Sequence, residues 1–300
     1  MIKNFKEELV KKINSSNKKY RLMRAKYGYY HITPTPTASE LSKLYEKEYF
    51  KDPYVVSSKG MDTGGLKEIE RFHFNRQYEE ILSFIKRNFK QKNIKILDVG
   101  CGTGMLLKYL HKKGIKKLYG TEIDPSQSKH KTPIFNEDFL NFKTHERFDF
   151  ILFNNILEHV VNPQEFLKKA RSILKDNGYI RVQVPNDLSY TQYKAVSSMI
   201  KERFYFFCPP EHINYFDFAS MEKMLRANHF NVVEKTTNWP MDIFILMGID
   251  YPKDPKLGKL CHGYRMNFEY NTGKEFLTTF YQEIAKQGIG RVVIQYAKKI

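Results

Sequence analysis

The feature that most constrains the fold is residues 94–107, where a short apolar run leads directly into three glycines at alternate positions. The apolar run predicts a buried β-strand, and the apolar residues that resume at Met105 with helical spacing predict a helix. Gly100, Gly102 and Gly104 lie between the two, where a missing Cβ lets the chain bend sharply and lets a ligand approach the backbone. The first N–H groups of a helix have no partner within it, so they point towards that ligand. The segment therefore predicts a strand, a turn and a helix that together hold a ligand.

Two well-known glycine turns are excluded by the residues that follow. A dinucleotide-binding turn needs a third glycine where Met105 stands, and a nucleotide-phosphate loop needs a Gly-Lys-Ser or Gly-Lys-Thr ending that is missing here. What remains is an aspartate followed by three alternating glycines. This segment resembles the glycine turn of the class I S-adenosylmethionine-dependent methyltransferases, where it lies against the methionyl part of the cofactor. The resemblance implies cofactor contacts by Asp98, Gly100, Cys101, Gly102 and Gly104.

Three further segments follow the turn at the spacing of that family. Glu122, at the end of a second apolar strand, lies where an acid can accept hydrogen bonds from ribose hydroxyls. In the third segment the resemblance implies that Asp138 contacts the exocyclic amine of adenine and that Phe139 is its apolar partner. The fourth segment, residues 148–160, is an apolar strand that ends in Leu-Glu-His-Val, as in the ubiquinone-biosynthesis O-methyltransferases. The predicted cofactor site also includes two neighbours from these segments, Ile123 and Asn154.

The resemblance implies an α/β fold with a Rossmann-like, seven-stranded, mostly parallel sheet and helices on both faces. Hydrophobic periodicity predicts a mainly helical region over residues 1–90, which we expect to cap the substrate. The resemblance implies a methyltransferase domain over residues 91–300. Two inserts interrupt that domain, residues 186–217 after the fifth strand and residues 240–288 between the sixth and seventh. Ligands of such sheets bind at the carboxyl ends of the strands, so the first insert and the N-terminal region are expected to form the acceptor pocket. The second insert is a candidate lid, dimer surface or additional packing.

Methyl transfer from a sulfonium needs an oriented acceptor, and an acceptor alcohol also needs a base for its proton. His159, a few residues beyond the fourth strand, is the first candidate base, although it can equally order the turn through a backbone hydrogen bond. His212, in the first insert, is the second candidate. Arg76 lies on the helix before the domain, where it can bind the cofactor carboxylate or remain a solvated helix residue. Weaker candidates are Tyr190, Tyr215 and His31.

The sequence indicates neither a cysteine nucleophile nor a metal site. Cys101 lies inside the glycine turn with no neighbour placed to activate a thiol, so we expect it to pack and not to act as a nucleophile. The acids near the site fall singly on different segments, so no metal site is predicted. Three cysteines without a C-x-x-C pair predict neither a disulfide framework nor a zinc site.

The net positive charge of the chain and one loop sequence bear on which acceptor is methylated. The 300 residues carry a formal net charge of +17, but 38 lysines against 12 arginines, spread along every segment, are as typical of a solvated surface as of a nucleic-acid site. We expect O-methylation of a small, anionic acceptor, for example a nucleotide-linked precursor of a surface polysaccharide. Residues 154–157 read Asn-Asn-Ile-Leu where base N-methyltransferases carry an Asn/Asp-Pro-Pro-aromatic loop, which disfavours a nucleic-acid base as acceptor.

Two alternatives and the assembly stay open. Nine basic residues among the first 26 suggest an RNA methyltransferase, and a non-catalytic, cofactor-binding partner subunit would keep the same glycine turn. No apolar run approaches the length of a membrane span, and the first residues lack the apolar stretch of a secretory signal. The sequence therefore predicts a cytoplasmic enzyme, for which a homodimer is one allowed assembly.

Overall fold

The computed structural model describes residues 4–37, 39–41, 68–90, 93–123 and 133–300. Residues 42–67, within the predicted N-terminal region, lie outside the described residues. The strands are β1 (Arg21–Arg24), β2 (Tyr30–Thr33), β3 (Lys95–Val99), β4 (Lys117–Glu122), β5 (Ile134–Asn136), β6 (Phe148–Asn154), β7 (Leu174–Pro185), β8 (Asn214–Tyr215), β9 (Phe230–Thr236) and β10 (Val292–Lys299). The helices are α1 (Phe5–Ser16), α2 (Glu68–Asn88), α3 (Met105–Lys112), α4 (Pro163–Ile173), α5 (Tyr190–Ser198), α6 (Phe218–Ala227), α7 (Asp242–Leu246) and α8 (Pro255–Lys286), with a 3₁₀ helix at Tyr251–Lys253.

Seven strands form one sheet in the order β5-β4-β3-β6-β7-β10-β9. The strands from β5 to β7 pair in parallel, whereas β10 runs antiparallel to both of its neighbours, β7 and β9. The predicted seven-stranded, mostly parallel sheet is confirmed. Parallel sheets of this kind are covered on both faces, which is why most residues of β3 and β6 are buried.

Helices cover both faces of this sheet, as predicted. Successive residues of a strand point to opposite sides, so neighbours in β3 belong to different cores. Ile96 packs in one core with Leu82 of α2 and Leu107 of α3. Leu97 packs in the other with Leu167 of α4. The two cores fix the carboxyl ends of the parallel strands at one edge, where the glycine turn lies.

The N-terminal region contains a hairpin that hydrophobic periodicity does not reveal. β1 pairs with β2, and β2 pairs with β8, so that Tyr30 lies opposite Tyr215. Each strand of the hairpin has four residues, and β1 buries only Leu22, which is too little alternation to predict a strand. The three-stranded sheet joins the N-terminal region to the insert at 186–217. The two segments expected to form the acceptor pocket are therefore in contact.

The second insert packs against the domain through α8. This helix is kinked at Gly273, whose φ is 77°, and buries one face that includes Leu277 and Tyr281. The kink follows from a backbone conformation that glycine adopts without strain. Side chains of α8 reach α2 and β9, for example Glu269 to His73 and Gln282 to Glu234. Among the described residues, no helix is both apolar enough and long enough to span a bilayer.

Candidate active site

The glycine turn connects β3 to α3 in a conformation that other residues rarely adopt. Gly100, Gly102 and Gly104 have φ values of 63°, 52° and 75°, which lie in the left-handed region. A Cβ at Gly100 would overlap Cδ1 of Ile156, whereas a Cβ at Gly102 would meet no heavy atom within 4 Å. Gly100 therefore packs against the turn after β6, and the backbone at Gly102 faces open space. That open side fits a ligand held close to the main chain.

Cys101 fills the other side of the turn. Its N–H donates to the carbonyl oxygen of Thr121 at 3.0 Å, which fixes the turn to β4. A Cβ at Gly120 would lie 2.6 Å from Cys101 Sγ, so a glycine in β4 makes room for the thiol. Burial raises the pKa of this thiol, which keeps it protonated and unreactive. The packing role expected for the Cys101 side chain agrees with these contacts.

Glu122 is bound to the turn. One carboxylate oxygen accepts a hydrogen bond from the N–H of Gly102 at 2.7 Å, and the other accepts from the N–H of Ile123 at 2.9 Å. A carboxylate has about four acceptor positions, so these two bonds orient Glu122 without using up its capacity to accept from ribose hydroxyls. The Ile123 side chain is 67% exposed beside it. The acid predicted from spacing thus lies at the open side of the turn.

The third segment needs a correction. β5 pairs with β4 so that Glu122 lies opposite Asn136, which places Asp138 two residues further on at the same edge. Asp138 accepts a hydrogen bond from the N–H of Leu140 at 2.8 Å. The Phe139 ring, however, is 3% exposed and packs in the core, with its centroid 5.5 Å from that of Phe153. It has no free face for adenine because the strand after it buries the ring; the exposed apolar side chains nearby are Ile123 and Leu140.

A buried polar network lies beneath the turn. Asp98 is 3% exposed, and its carboxylate accepts from Asn154 Nδ2 at 3.2 Å. Burial raises the pKa of Asp98 to about 7. Asn154 Oδ1 in turn accepts from Arg181, which is fully buried and also donates to Gln183 Oε1 at 2.9 Å.

This network continues onto α2. Gln77 Nε2 donates to Gln183 Oε1 at 3.0 Å, and the hydroxyl of Tyr296, which accepts from Arg181, donates to Glu80 at 2.8 Å. Arg181 and Gln183 were missed from sequence because they alternate with Ile180, Val182 and Val184 in what reads as an ordinary strand. The only available signal was an arginine inside an apolar run, which requires buried partners.

The role predicted for Arg76 is not supported by its position. Its guanidinium lies 3.5 Å from the carboxylate of Glu269 on α8 and 5.0 Å from the centre of the Tyr281 ring. Glu269 is fully buried and also contacts His73 at 2.6 Å and Arg265 at 3.2 Å. The face of α2 that carries Arg76 therefore packs on the second insert. Arg76 is therefore not a solvated residue, and its contact with the cofactor carboxylate stays a prediction.

The two candidate bases are adjacent in space. His159 and His212 have ring centres 5.1 Å apart, although 52 residues separate them in sequence. His159 Nδ1 donates to the carbonyl oxygen of Glu211 at 2.8 Å, so in the neutral ring Nε2 is the acceptor. Burial lowers the pKa of both rings, that of His212 to about 3. Both rings are therefore neutral at physiological pH, and burial makes each of them a weaker base than an exposed imidazole.

Backbone and amide hydrogen bonds fix this pair in place. The N–H groups of Ile213 and Asn214 donate to the carbonyl oxygen of Glu158 at 2.7 and 2.9 Å. Asn214 Nδ2 donates to the carbonyl oxygens of Leu157 and Val160 at 2.9 and 2.6 Å. The first insert is thus attached directly to the turn after β6, and Ile156 of that turn contacts Gly100. The histidine pair and the glycine turn belong to one edge of the sheet.

The weaker candidates lie elsewhere in the same region. Tyr190 is 44% exposed and packs its ring on Phe5, and His31 pairs with Asn214 across β2 and β8. The Tyr215 hydroxyl is buried and accepts from the N–H of Cys208 at 3.2 Å. The ring of Tyr190 and the hydroxyl of Tyr215 thus have structural contacts.

Three potential metal ligands lie close together, a grouping that the sequence did not indicate. His159, Glu211 and His212 each place one ligand atom within 4.8 Å of the others. Folding brings these distant segments together, which single-segment spacing cannot show. The signal in the sequence was the pair Glu-His, which occurs at 158–159 and again at 211–212.

Comparison with known proteins agrees with this geometry. A family model described as "Methyltransferase domain" matches residues 72–235, which is more than half of the chain. The ubiquinone biosynthesis O-methyltransferase of Bradyrhizobium diazoefficiens is 31% identical over 121 residues, covering 34% of this chain and 45% of that protein. An uncharacterized protein of Methanocaldococcus jannaschii is 29% identical over 190 residues, covering 55% of this chain and 75% of that protein. The chain thus spans less than half the length of the first of these relatives.

Solved structures agree in fold. The putative sarcosine dimethylglycine methyltransferase from Galdieria sulphuraria matches with a TM-score of 0.51 and 14% identity, covering 84% of this chain and 96% of that one. At this identity the likeness concerns the fold alone. The family match supports more than the fold, because residues 72–235 include the glycine turn, the acid at the end of β4 and the turn after β6. The chain belongs to the class I S-adenosylmethionine-dependent methyltransferases, and S-adenosylmethionine is its cofactor.

Proposed function

We propose that this chain transfers a methyl group to a hydroxyl oxygen of a small, anionic acceptor, for example a nucleotide-linked precursor of a surface polysaccharide. The cofactor supplies a methyl group on a positively charged sulfur and is left as S-adenosylhomocysteine. The residues of the chain bind the cofactor, orient the acceptor and take its proton. The observation that carries this proposal is the histidine pair His159 and His212, whose supporting turn contacts the glycine turn.

The residues proposed to bind the cofactor lie along the edge of the sheet where the parallel strands end. The backbone at Gly102 and the buried carboxylate of Asp98 would face the methionyl part, where a negative charge favours a cationic ligand. Glu122 would accept hydrogen bonds from the ribose. Asp138 would contact the adenine amine, with the exposed side chain of Ile123 against the ring.

The histidine pair would activate the acceptor. In the neutral His159 ring, Nδ1 carries the proton donated to Glu211, so Nε2 takes the proton that leaves the acceptor hydroxyl. His212, next to it, would orient the same hydroxyl, since its pKa of about 3 makes it a poor base at neutral pH. In the reaction the carbon–sulfur bond breaks as the carbon–oxygen bond forms, in line with each other.

Two observations support the class of acceptor. Relatives with the name ubiquinone biosynthesis O-methyltransferase match this chain, which favours oxygen as the methylated atom. The net charge of +17 raises the concentration of anions near the surface, which favours an acceptor carrying phosphate or carboxylate groups.

The proposal is tested with purified protein, S-adenosylmethionine labelled in its methyl group, and separate pools of nucleotide sugars, other phosphorylated precursors, phenols and RNA. We expect label in one of the first two pools, and a roughly hundredfold or larger loss of kcat in His159→Ala and His212→Ala. His111→Ala, at an exposed position on α3, is the control and should keep full activity.

The other outcomes separate the alternatives. Label in RNA alone would contradict the proposal and support an RNA methyltransferase. Cofactor binding without transfer to any pool, unchanged in both histidine variants, would support a non-catalytic partner subunit.

A further inference from the structure

The cluster of His159, Glu211 and His212 has the composition of a metal site. Two imidazoles and one carboxylate are ligands that divalent first-row transition metals bind well. Their three ligand atoms lie within 4.8 Å of one another. Ligands around such an ion, at metal–ligand distances of about 2.0–2.2 Å, lie roughly 3–4 Å apart, so a bound ion would draw the three side chains closer together.

The histidines have the supporting contacts that metal ligands usually have. A ligating histidine commonly donates its other ring N–H to a carbonyl or carboxylate, which fixes the ring and leaves the second nitrogen to the metal. His159 does this through Nδ1 and the carbonyl oxygen of Glu211. The same bond joins the turn after β6 to the segment that carries the other two ligands.

Two buried polar atoms beside the cluster form no hydrogen bond within the described part of the chain. They are Nδ1 of His212 and Oε2 of Glu158. Glu158 is 1% exposed, and its Oε1 lies 3.9 Å from His159 Nε2. Buried polar atoms normally have a partner, so the two unpaired atoms beside the cluster call for an explanation. An ion held by the cluster would provide one.

We propose that His159, Glu211 and His212 bind one divalent transition-metal ion, of which Zn²⁺ is the test case, with the buried side chain of Glu158 beside them. Three protein ligands leave at least one position open on a four-coordinate ion. An acceptor hydroxyl at that position would lose its proton to solvent more readily, because a bound cation lowers the pKa of an oxygen ligand. This role rests on the proposed function and deepens it, since the histidines then act as ligands and not as bases; binding of the ion does not depend on it.

Metal binding is measured without reference to activity. The full chain is treated with a chelator, dialysed and titrated with Zn²⁺, and with Co²⁺ as a spectroscopic probe whose visible absorption reports its ligands. We expect one ion per chain. His159→Ala, His212→Ala and Glu211→Gln should each weaken binding by roughly tenfold or more, since even residues that only support metal ligands contribute this much.

The matched control is His262→Ala. His262 belongs to a second histidine pair, with its ring 5.0 Å from that of His73, outside the proposed site. It should leave binding unchanged. Because an alanine variant can fail to fold, Zn²⁺ protection against heat is compared in the wild type and in the isosteric Glu211→Gln, and the same Zn²⁺ concentration should stabilise the variant less.

The site is disproved if the full chain binds no Zn²⁺, if binding survives both histidine variants, or if His262→Ala abolishes it. Its role is tested next by methyl transfer before and after chelation. Activity that falls on chelation and returns with Zn²⁺ supports the role. If complete removal of the ion leaves methyl transfer unchanged, the metal has no part in the reaction, but the proposed function stands. If the chain binds Zn²⁺ tightly but transfers no methyl group, the metal site is supported and the proposed function is contradicted.

Discussion

At the scale of single residues, the turn needs glycine for two different reasons. Gly100 and Gly102 both have a positive φ, but only at Gly100 would a side chain overlap a neighbour, Ile156. We expect Gly102→Ala to lower the free energy of unfolding by about 1–2 kcal/mol, the cost of a left-handed residue with a Cβ. Gly100→Ala should cost more, because Ile156 must also move.

The two glycine variants separate stability from binding. The Cβ at Gly102 would occupy the side proposed for the cofactor, so Gly102→Ala should lose cofactor affinity out of proportion to its small loss of stability. Urea unfolding and calorimetric titration with S-adenosylhomocysteine measure the two quantities. Equal stability losses for both variants would contradict the packing described for Ile156.

Asp98 gives a prediction about pH. Its pKa in the folded protein, about 7, is higher than that of an exposed aspartate, so the folded state binds the proton more tightly than the unfolded state. The wild type without cofactor should therefore lose stability as pH rises from about 4 to 7, and the loss should be complete above 7. Asp98→Asn removes the charge and should raise the melting temperature at pH 8, with little change at pH 4.

The size and test of this effect follow from linkage. One unit of pKa shift corresponds to about 1.4 kcal/mol, so the gain in Asp98→Asn at pH 8 is at most a few kcal/mol. Thermal unfolding between pH 4 and 8 measures it. The same variant should bind the cationic cofactor more weakly. A variant that is less stable than the wild type at pH 8 would show that Asp98 is a favourable charge in the protein without cofactor.

Individual residues differ in how far sequence could assign them. Glu122 was predictable because strand length and turn length fix the distance between the glycines and the next strand end. Phe139 and Arg76 were not, because their roles depend on which way a side chain points. The ring of Phe139 turns into the core, and the rotation of α2 about its axis brings Arg76 to Glu269. Neither orientation can be derived from spacing alone.

At the scale of secondary-structure elements, the attachment of the first insert determines the position of His212. Asn214 is 1% exposed and donates to the carbonyl oxygens of Leu157 and Val160. Asn214→Ala leaves both carbonyls unpaired, so we expect a loss of about 2–3 kcal/mol in unfolding free energy. His212 should also shift relative to His159, lowering kcat while cofactor affinity is largely kept.

This prediction has a surface control. Asn231→Ala, at an exposed position on β9, should change neither stability nor turnover. Urea unfolding, turnover and calorimetric titration are compared in the two variants. If Asn214→Ala kept full turnover despite its lower stability, the attachment would serve folding alone.

Strand β6 was predictable from its apolar run, whereas short or mixed strands such as β4 and β5 were predicted from the family resemblance. The three-stranded sheet was not predicted. β8 has two residues and pairs with β2 across more than 180 residues of sequence. Such a pairing depends on tertiary contacts of Leu22, Ile32 and their neighbours, and leaves almost no local pattern.

At the scale of the whole molecule, the site exists only because separate parts of the chain meet at one edge of the sheet. The glycine turn, the acid at the end of β4 and the turn after β6 come from the methyltransferase domain, and His212 comes from an insert attached to the N-terminal region. The order of the parallel strands could be inferred from family resemblance. The meeting of the two Glu-His pairs could not, since it depends on the path of the insert.

The central claim is that the turn at Gly102 and the carboxylate of Glu122 together bind S-adenosylmethionine. The most direct measurement is calorimetric titration of the purified chain with S-adenosylhomocysteine, on the wild type, Glu122→Ala and the control Glu137→Ala, which alters an exposed acid in the same region. We predict one site per chain, affinity at least about tenfold weaker in Glu122→Ala because charge-assisted hydrogen bonds are lost, and no change in Glu137→Ala. No heat from the wild type, or equal affinity in all three proteins, would contradict the assignment.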